Sequence, residues 1–353
     1  MNICLLGNNL TNLVIANILL KKKINVDIIS QTSKSSLKKT IRTIAISNEN
    51  YKFLQKNIKG LNNLGWPTKK IKIFSEKNNS SELFEFKNEN ENNFYLLKYT
   101  TLYNLVKNNK LIKFKNFKNY NYDTIKKLNY DLIINSEQNN PITKKFFQKK
   151  IIKNYNSLAH TAIISHIKTD NKTAKQIFTS NGPLAFLPLS NKTTSVVFSN
   201  NSTKLINKKT LLQIINKYNF EHKINKISDV ESFNIKLIVL RNYVFKNILS
   251  FGDLIHKVHP LAGQGFNMTI RDIKSLSSIL DENMNLGISD GVTIAKEFQK
   301  NNKHVNFIYS LGIDCINSFF KFDNKIKNTL SEPIFKILKG NKFLNNYATF
   351  LSN

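Results

Sequence analysis

The sequence predicts a mixed α/β chain that contains two kinds of sheet. Residues 2–6 and 24–29 are short apolar runs typical of strands, and residues 11–22 between them place apolar side chains at helical spacing. A strand–turn–helix–strand unit of this length is a βαβ unit, which implies a parallel, Rossmann-like sheet. From about residue 156, short β-prone runs separated by turn residues indicate an antiparallel sheet with an α+β character. From Met268 onwards the pattern is helical to the end of the chain.

The remaining elements follow from the same two periodicities. The spacing of apolar residues predicts helices over residues 48–65, 101–109 and 209–218. Alternating or compact apolar runs predict strands over residues 71–74, 83–86, 130–134, 161–167, 177–179, 184–187, 194–198, 235–244 and 248–250. The Asn- and Lys-rich pieces 76–93 and 139–154 are typical of solvated loops.

Length and composition limit the class of protein. A chain of 353 residues suggests about two domains, and its 41% hydrophobic content is enough for a sizeable core. The two cysteines, Cys4 and Cys315, cannot form a disulfide framework, which fits a reducing compartment. No basic segment precedes the first strand, so no signal peptide is expected. The apolar stretches stop short of the ~18 residues that a transmembrane helix needs.

The net charge of +30, from 53 Lys and Arg against 23 Asp and Glu, is mostly a matter of composition. The chain has only three arginines, and it is rich in Lys, Asn, Ile, Phe and Tyr, which share A/T-rich codons. A nucleotide bias therefore explains the charge, although attraction to anionic membrane or to a nucleic acid stays open. No nucleic-acid motif supports the second option. Against this bias, three of the eleven glycines fall within residues 252–265.

The turn after the first strand is the first candidate site. A dinucleotide-binding turn has the form G-x-G-x-x-G, which lets a pyrophosphate approach the helix N-terminus. Residues 7–12 read Gly-Asn-Asn-Leu-Thr-Asn, so only Gly7 matches, with Asn9 tolerating a turn conformation. The acidic ribose partner expected after the second strand is replaced by Ser30 and Gln31. By itself this segment is compatible with nucleotide binding or with an ordinary βαβ unit.

The second candidate is the segment 251–272. A strand leads into Gly252 and Asp253, and a tight loop with Pro260, Gly263 and Gly265 then opens a helix near Phe266. Glycines allow the backbone to approach a flat ligand, and the N–H groups of a helix start can stabilise an electron-rich carbonyl. Asp253 can accept hydrogen bonds from ligand hydroxyls. These features suit a flavin, and a structural glycine turn is the alternative.

Residues 252–267 resemble the second flavin motif of the aromatic-ring hydroxylases of ubiquinone biosynthesis, which are class A flavoprotein monooxygenases. The segment reads Gly-Asp-x-x-His-x-x-His-Pro-x-Ala-Gly-Gln-Gly-x-Asn. Residues 42–47 (Arg-Thr-Ile-Ala-Ile-Ser), residues 178–189 around Gly182-Pro183-Leu184-Ala185, and Trp66-Pro67 resemble further segments of the same family. The resemblance extends over essentially the whole chain.

The resemblance implies FAD as cofactor, with NAD(P)H as reductant. Asp253 would bind the ribityl chain, Pro260 would lie beside the isoalloxazine ring, and Arg42 would reach the pyrophosphate. Backbone between Gly263 and Asn267 would face the pyrimidine carbonyl of the ring. The complete set of cofactor-binding residues expected is Gly7, Asn9, Arg42, Gly252, Asp253, Pro260, Ala262, Gly263, Gln264, Gly265, Phe266 and Asn267. No catalytic side chain is assigned, because the cofactor carries the chemistry.

The implied activity is hydroxylation of the ring of a polyprenylated phenolic precursor by an FAD-dependent monooxygenase with NAD(P)H and O2. The expected division is an FAD-binding domain over residues 1–70, 97–155 and 245–353 and a substrate domain over 71–96 and 156–244. The expected location is the cytoplasm, with peripheral attachment to an anionic inner membrane and contact with other quinone-biosynthesis proteins as further options. The substrate pocket would lie between the antiparallel sheet and the Pro260 loop.

Two departures from the family pattern keep an alternative open. The third flavin motif, Gly-Ala-Asp-Gly, should fall at residues 135–138, which read Asn-Ser-Glu-Gln. Together with the incomplete first motif, this favours a second hypothesis, a catalytically silent accessory subunit of a quinone-biosynthesis assembly. The spacing of His256 and His259 permits a metal pair, but no further ligands are evident, so no metal is expected. His160 and His166 share one face of a strand, where they would be sheet residues or line the pocket.

Overall fold

The computed structural model describes residues 1–31, 40–76, 82–87, 91–219 and 221–325. The helices are α1 Leu10–Lys21, α2 Asn48–Asn57, α3 Tyr99–Lys107, α4 Tyr122–Lys126, α5 Pro141–Phe146, α6 Lys208–Tyr218, α7 Gln264–Asn285 and α8 Gly291–Lys325. Strands β1 to β9 are Asn2–Leu6, Asn25–Gln31, Thr43–Ser47, Trp66–Thr68, Lys70–Ser75, Glu82–Lys87, Phe94–Lys98, Lys113–Phe117 and Leu132–Asn135. Strands β10 to β18 are Lys150–His166, Thr173–Thr179, Gly182–Ser190, Thr193–Asn200, Ile224–Ile227, Glu231–Leu240, Val244–Phe245, Ile248–Ser250 and His256–Lys257.

The βαβ unit at the start of the chain belongs to a six-stranded sheet with the order β16-β17-β9-β1-β2-β8. All pairs in it are parallel except β16 with β17. Strand β1 lies in the middle, and Cys4 pairs with Asp27 on one side and with Ile133 on the other. Because both faces are covered, β1 is a continuous apolar run, as a central parallel strand requires. The predicted Rossmann-like part is confirmed.

The second sheet is large and mainly antiparallel, with the order β18-β15-β10-β13-β12-β11-β5-β6 and with β14 beside β10. One face packs against α6 through a cluster that includes Ala162, Ile164, Phe198, Leu211 and Ile215. The other face meets a small antiparallel sheet with the order β3-β7-β4. The predicted antiparallel part is therefore present, and its two faces have different partners.

Several elements differ from the sequence-based expectation. The helix predicted over residues 48–65 ends at Asn57, because Gly60 and Asn63 adopt positive φ angles of 85° and 68°. The small sheet and β8 are not in the prediction. The helical tail is two helices, α7 and α8, and residues 326–353 lie outside the described part. Strands β5 and β6 lie in the large sheet, and β7 lies in the small one. The division of the chain into an FAD-binding domain and a substrate domain stays a prediction. Within the described residues, no helix is long and apolar enough to cross a membrane.

A buried polar cluster fastens one end of the large sheet. The Asn171 side chain donates to the carbonyl of Ser190 at 2.8 Å and to the Thr194 hydroxyl at 2.9 Å, which ties the β12–β13 turn to the segment after β10. The His166 ring contacts the Thr194 hydroxyl and lies 4.2 Å from the ring of His222. Burial, with His166 as a smaller cause, lowers the pKa of His222 from 6.5 to about 4. His222 is therefore neutral in the folded protein at neutral pH.

The low pKa of His222 predicts an acid-sensitive fold. Above pH 6.5 the ring is neutral in both states and its contribution to stability is complete. Below that value the unfolded chain takes up the proton first, so stability is lost as the pH falls towards about 4. We expect the free energy of unfolding, measured by urea titration across this range, to fall more steeply in the wild type than in His222→Gln.

The matched control is His304→Gln, which changes an exposed histidine on α8. Carboxylates titrate alike in all three proteins, so only the difference between slopes is informative. The control is expected to keep the wild-type slope. Identical slopes for the wild type and His222→Gln would contradict the role assigned to His222.

Candidate functional site

The three segments predicted as flavin motifs meet at one edge of the parallel sheet, where β1 and β9 end. Asn9 donates from its side-chain amide to the Ser136 hydroxyl at 2.8 Å. The Gln138 side chain donates to the carbonyl of Asp253 at 2.9 Å. Gly252 adopts a φ of +60°, and a Cβ atom there would lie 3.0 Å from the Thr11 side chain. The fold thus brings residues 7–12, 135–138 and 252–253 together, as a dinucleotide site requires.

The N-terminus of α1, however, is capped by groups of the chain itself. The Asn9 side-chain oxygen accepts the backbone N–H of Asn12 at 3.1 Å. The Asn12 amide donates to the carbonyls of Leu6 and Gly7 at 2.8 and 2.7 Å, which fastens the turn from inside. The backbone amide of Leu10 faces the phenol of Tyr99 and opposes the rise that burial causes in the pKa of Tyr99. One of the first amides that could bind a phosphate is therefore already hydrogen-bonded.

Glu137 adds a negative charge at the same place. A Cβ atom on Gly7 would lie 3.1 Å from the Glu137 Cβ and 3.6 Å from one of its carboxylate oxygens. Tyr120 donates its phenol hydrogen to the same carboxylate at 3.1 Å. Ser30, at the position of the missing ribose acid, donates to the side chain of Asn116. This end of the site therefore departs from a standard dinucleotide cradle in both shape and charge.

Arg42 is held near this edge by Tyr99 of α3 and Phe233 of β15. Its guanidinium lies 5.9 Å from the Tyr99 ring and 5.4 Å from the Phe233 ring, as cation–π contacts. Glu231 on β15 accepts hydrogen bonds from the Thr40 hydroxyl and the Ile41 N–H, which anchors the segment before Arg42. Burial raises the pKa of Tyr99, Arg42 opposes that rise, and Asp253 adds to it. Arg42, Tyr99 and the exposed Asp253 thus form one electrostatic neighbourhood.

The glycine loop packs directly against β3. Gly263 has a φ of +68°, and a Cβ atom on it would lie only 2.8 Å from the Cβ of Ala45. The buried Asn267 side chain accepts the Ser47 N–H at 2.9 Å and donates to the carbonyl of Ala45 at 2.9 Å. The N-cap residue of α7 is Gly263, which has no side chain to cap the helix, in contrast to Asn9 at the start of α1. The start of α7 therefore remains the helix terminus that can bind a carbonyl or an anion.

The other predicted loop residues take different positions. Pro260, Gly265 and Phe266 are half-buried, whereas Gln264 is buried. A Cβ atom on Gly265 would meet only the Val258 side chain, at 3.8 Å, so the loop is open there. The side chain of Ala262 lies outside the described part of the structure. The Asn267 side chain points to β3, so a contact between Asn267 and a ring would come from its backbone.

The histidines of the second motif do not form a pair. His256 is fully buried, and its Nε2 lies 2.6 Å from the equally buried carboxylate of Asp272. Asp272 also accepts from Asn306 at 2.9 Å. His259 packs edge-on against Tyr155, and burial lowers its pKa to about 3. In the described ranges, no three His, Cys, Asp or Glu side chains are arranged to hold a metal ion.

His160 and His166 do share one face of β10, as their spacing predicts. That face also carries Ala162 and Ile164, which pack against α6. The slot described below lies against the opposite face, so His160 and His166 are sheet residues that do not line it. His160 contacts the Ser232 hydroxyl at 2.7 Å instead.

A narrow slot lies between the small sheet and the large sheet, next to the glycine loop. It has a cavity volume of about 30 Å³ and is partly open to solvent. Its lining residues are Ala45, Thr68, Ile71, Phe94, Leu96, Ala174, Lys175, Gln176, Ala185 and Leu187. Ala45 is shared with the contact to Gly263, so the slot adjoins the loop. A larger cavity of about 340 Å³ lies at the start of β2 and β8, away from the glycine loop.

The contact between Gly263 and Ala45 gives a testable prediction. Gly263→Ala combines a left-handed backbone with a clash, whereas Gly287→Ala meets no atom within 4 Å at a similar φ of +73°. We expect Gly287→Ala to cost about 1 kcal/mol of unfolding free energy, and Gly263→Ala to cost about 1–3 kcal/mol more, by urea titration. Equal losses in the two variants would show that the loop does not pack against β3.

Comparison with known proteins agrees with this arrangement. Residues 138–297 match the FAD binding domain family. The chain is 27% identical over 244 residues to the mitochondrial ubiquinone biosynthesis monooxygenase COQ6 of Dictyostelium discoideum, covering 54% of this chain and 49% of that protein. It is 29% identical over 152 residues to 3-demethoxyubiquinol 3-hydroxylase of Escherichia coli, covering 41% and 39%. The chain thus spans about half or less of the length of these curated relatives.

Solved structures show the same fold over nearly the whole chain. The complex of Klebsiella pneumoniae HpxO with FAD and uric acid superposes with a TM-score of 0.73 at 12% identity, covering 99% of this chain and 96% of that one. Pseudomonas aeruginosa PqsL in complex with 2-aminobenzoylacetate superposes with a TM-score of 0.70 at 12% identity, covering 92% and 97%. The chain is thus similar to the FAD binding domain family over residues 138–297, to hydroxylases of ubiquinone biosynthesis over about half of its length, and to solved FAD-dependent enzymes in fold.

Proposed function

We propose that this chain is an FAD-dependent monooxygenase that hydroxylates the aromatic ring of a polyprenylated ubiquinone precursor with NAD(P)H and O2. The observation that carries the proposal is the junction at Ala45. There the glycine loop at the start of α7 packs on β3, and β3 also lines the slot between the two antiparallel sheets. A ring bound at the loop would therefore lie next to a ring bound in the slot.

The residues at the flavin-ring end fit the cofactor. Gly263 leaves no room for a side chain, so the backbone of the loop is the surface that a flat ring would meet. The start of α7, whose N-cap residue is Gly263, can stabilise the electron-rich pyrimidine carbonyl, and the exposed Asp253 can accept hydrogen bonds from ribityl hydroxyl groups. The phosphate end fits less closely, because the Asn9 side chain occupies the Asn12 N–H in the first turn of α1. Arg42 is the cation placed to compensate there.

FAD would supply the redox chemistry with NAD(P)H and oxygen, while the protein supplies orientation and exclusion of water. Arg42 would hold the phosphates, and Asp253 would orient the ribityl chain. The backbone from Gly263 to Phe266 would fix the plane of the ring against β3. The apolar walls of the slot, such as Phe94, Leu96 and Leu187, would keep water from the reacting ring. No side chain is needed as a general base for these roles.

Attachment to an anionic membrane is a further part of the proposal. The net charge of +30 supports it, because lysines near an anionic surface contribute about 1 kcal/mol each. Such attachment would bring the protein close to a lipid-soluble substrate.

A catalytically silent accessory subunit is the second candidate. The capping of α1 by Asn9 favours it, because a phosphate must displace that side chain or bind beside it. The two candidates differ in cofactor content and turnover.

Purification separates the two candidates. The enzyme is expected to carry FAD, visible as flavin absorbance, or to gain it on reconstitution. With a prenylated phenol present it should oxidise NAD(P)H, consume O2 and release a hydroxylated product identified by mass spectrometry. A colourless protein that gains no flavin would contradict the enzyme proposal and support the accessory role. So would a flavoprotein that forms no hydroxylated product from any prenylated phenol tested.

The self-capped α1 terminus predicts that a glycine improves FAD binding. Asn9→Gly restores the second glycine of the motif and frees the Asn12 N–H, at a stability cost of a few tenths of a kcal/mol. We expect FAD, followed by quenching of its fluorescence, to bind several-fold more tightly, and riboflavin, which lacks the phosphates, to bind as before.

Asn207→Gly is the matched control. Asn207 caps α6 in the same way, by accepting the Thr210 N–H at 2.8 Å, but α6 lies behind the large sheet. This variant is expected to leave FAD affinity unchanged. If Asn9→Gly weakens FAD binding, Asn9 contributes to the phosphate site rather than blocking it.

A further inference from the structure

The cavity of about 340 Å³ lies at the edge of the parallel sheet where the strands begin. Its walls come from the starts of β1, β2 and β8, the end of α1 and the turn before β9. The predicted flavin motifs lie at the other edge, where β1 and β9 end. Small-molecule sites occupy about 300–1,000 Å³, so this cavity is large enough for a ligand of its own.

One wall of the cavity carries two lysines of the edge strand β8, Lys113 and Lys115, which we call the lysine wall. Lys113 pairs with Asp27 on β2, and Lys115 follows on the same face of the sheet. Asp27 is the one acid in the lining, and its carboxylate already accepts from Tyr130 at 2.6 Å and from Lys115 at 2.8 Å. Lys113 makes no ion pair within the described residues, so the lysine wall keeps an excess of positive charge.

The cavity also has hydrogen-bond donors to spare. Lys115 has three ammonium hydrogens, of which Asp27 and Tyr130 accept two. The ammonium group of Lys113 and the side-chain N–H groups of Asn2 donate to nothing in the part of the chain that the structure describes. Three side chains with free donors match the three terminal oxygens of a phosphate monoester, and lysine binds phosphate as a point charge.

Three leucines supply apolar surface to the same cavity. Leu20, Leu111 and Leu128 line it, and we call them the leucine rim. Leu111 is 67% exposed and Leu128 is 36% exposed. Single exposed leucines are common, but these three share one cavity with the lysine wall. An alkyl chain bound against them would remove apolar surface from water, which is favourable.

We propose that this cavity binds an alkyl phosphate, with the phosphate on the lysine wall and the alkyl chain on the leucine rim. Inorganic phosphate would use only the first surface and an alcohol only the second, so each would bind more weakly. The ligand is either a phosphate-bearing lipid or a soluble phosphate ester, which present the same chemistry. The inference is independent of the proposed hydroxylation, because neither surface belongs to the flavin motifs.

Calorimetric titration of the full-length protein with hexyl phosphate, inorganic phosphate and 1-hexanol tests the proposal. The wild type is expected to bind hexyl phosphate about 3- to 10-fold more tightly than either fragment. Lys113→Met should weaken the binding of hexyl phosphate by about 3- to 10-fold, because a charged hydrogen bond is lost. Lys118→Met is the matched control, since Lys118 follows β8 at its other end and does not line the cavity.

Two further variants test the leucine rim and the acid. Leu111→Ala should weaken hexyl phosphate several-fold and leave inorganic phosphate unchanged. Its matched control is Leu205→Ala, which changes a leucine that is 77% exposed and lies outside the cavity. Asp27→Asn should tighten the binding of hexyl phosphate several-fold, because it removes a negative charge and releases the ammonium group of Lys115.

Co-sedimentation with phosphatidylcholine vesicles, with and without phosphatidic acid, separates the two sources of ligand. A larger loss of binding to the acidic vesicles in Lys113→Met than in Lys118→Met assigns the site to a lipid. Equal binding of these two variants to vesicles, with the calorimetric difference in place, assigns the site to a soluble ester.

Three results would overturn the inference. The first is that the wild type binds hexyl phosphate no more tightly than inorganic phosphate. The second is an equal affinity of Lys113→Met and Lys118→Met for hexyl phosphate. The third is weaker binding by Asp27→Asn, with circular dichroism showing the variant folded. If the titrations give the expected results but no flavin is taken up, the proposed activity fails and the alkyl phosphate site stands.

Discussion

The side-chain amide of Asn267 joins the glycine loop to β3, and the geometry of the site depends on that connection. Its oxygen accepts the Ser47 N–H, and its nitrogen donates to the carbonyls of Ala45 and Gly263. Asn50 on α2 donates to the same oxygen at 3.1 Å. The residue is 5% exposed, so these bonds form away from water, where an unmade bond costs more. The loop, β3 and α2 are thereby held as one unit.

That unit places two possible binding surfaces back to back. Gly263 contacts Ala45 from the loop side, and Ala45 lines the slot from the other. The large sheet forms the other wall of the slot. The opposite face of that sheet packs against α6. The contact between Gly263 and Ala45 explains why a side chain at position 263 is excluded.

The phosphate end follows a different principle. Polar side chains stand there in place of the glycines of the family motifs. They join the three segments by hydrogen bonds, from Asn9 to Ser136 and from Gln138 to the carbonyl of Asp253. Asparagine is abundant in this chain, and it both tolerates turn conformations and caps helices. The three segments therefore keep their relative positions, although the amides that would face a pyrophosphate are partly used. The cofactor end nearest the substrate is the better preserved one.

The sequence by itself determined the βαβ unit, the antiparallel sheet, the helical tail and the glycine loop. These elements depend on hydrophobic periodicity and on glycines such as Gly263, which tolerate left-handed backbone conformations. It did not determine the small sheet, whose strands pair residues as distant as Thr43 and Lys98. Nor did it decide which face of the large sheet is the pocket side. Tertiary packing of α6 made that choice, turning His160 away from the slot and leaving Gln176 within it. Side-chain alternation fixes which residues share a face, but only the partner packed against that face decides what the face does.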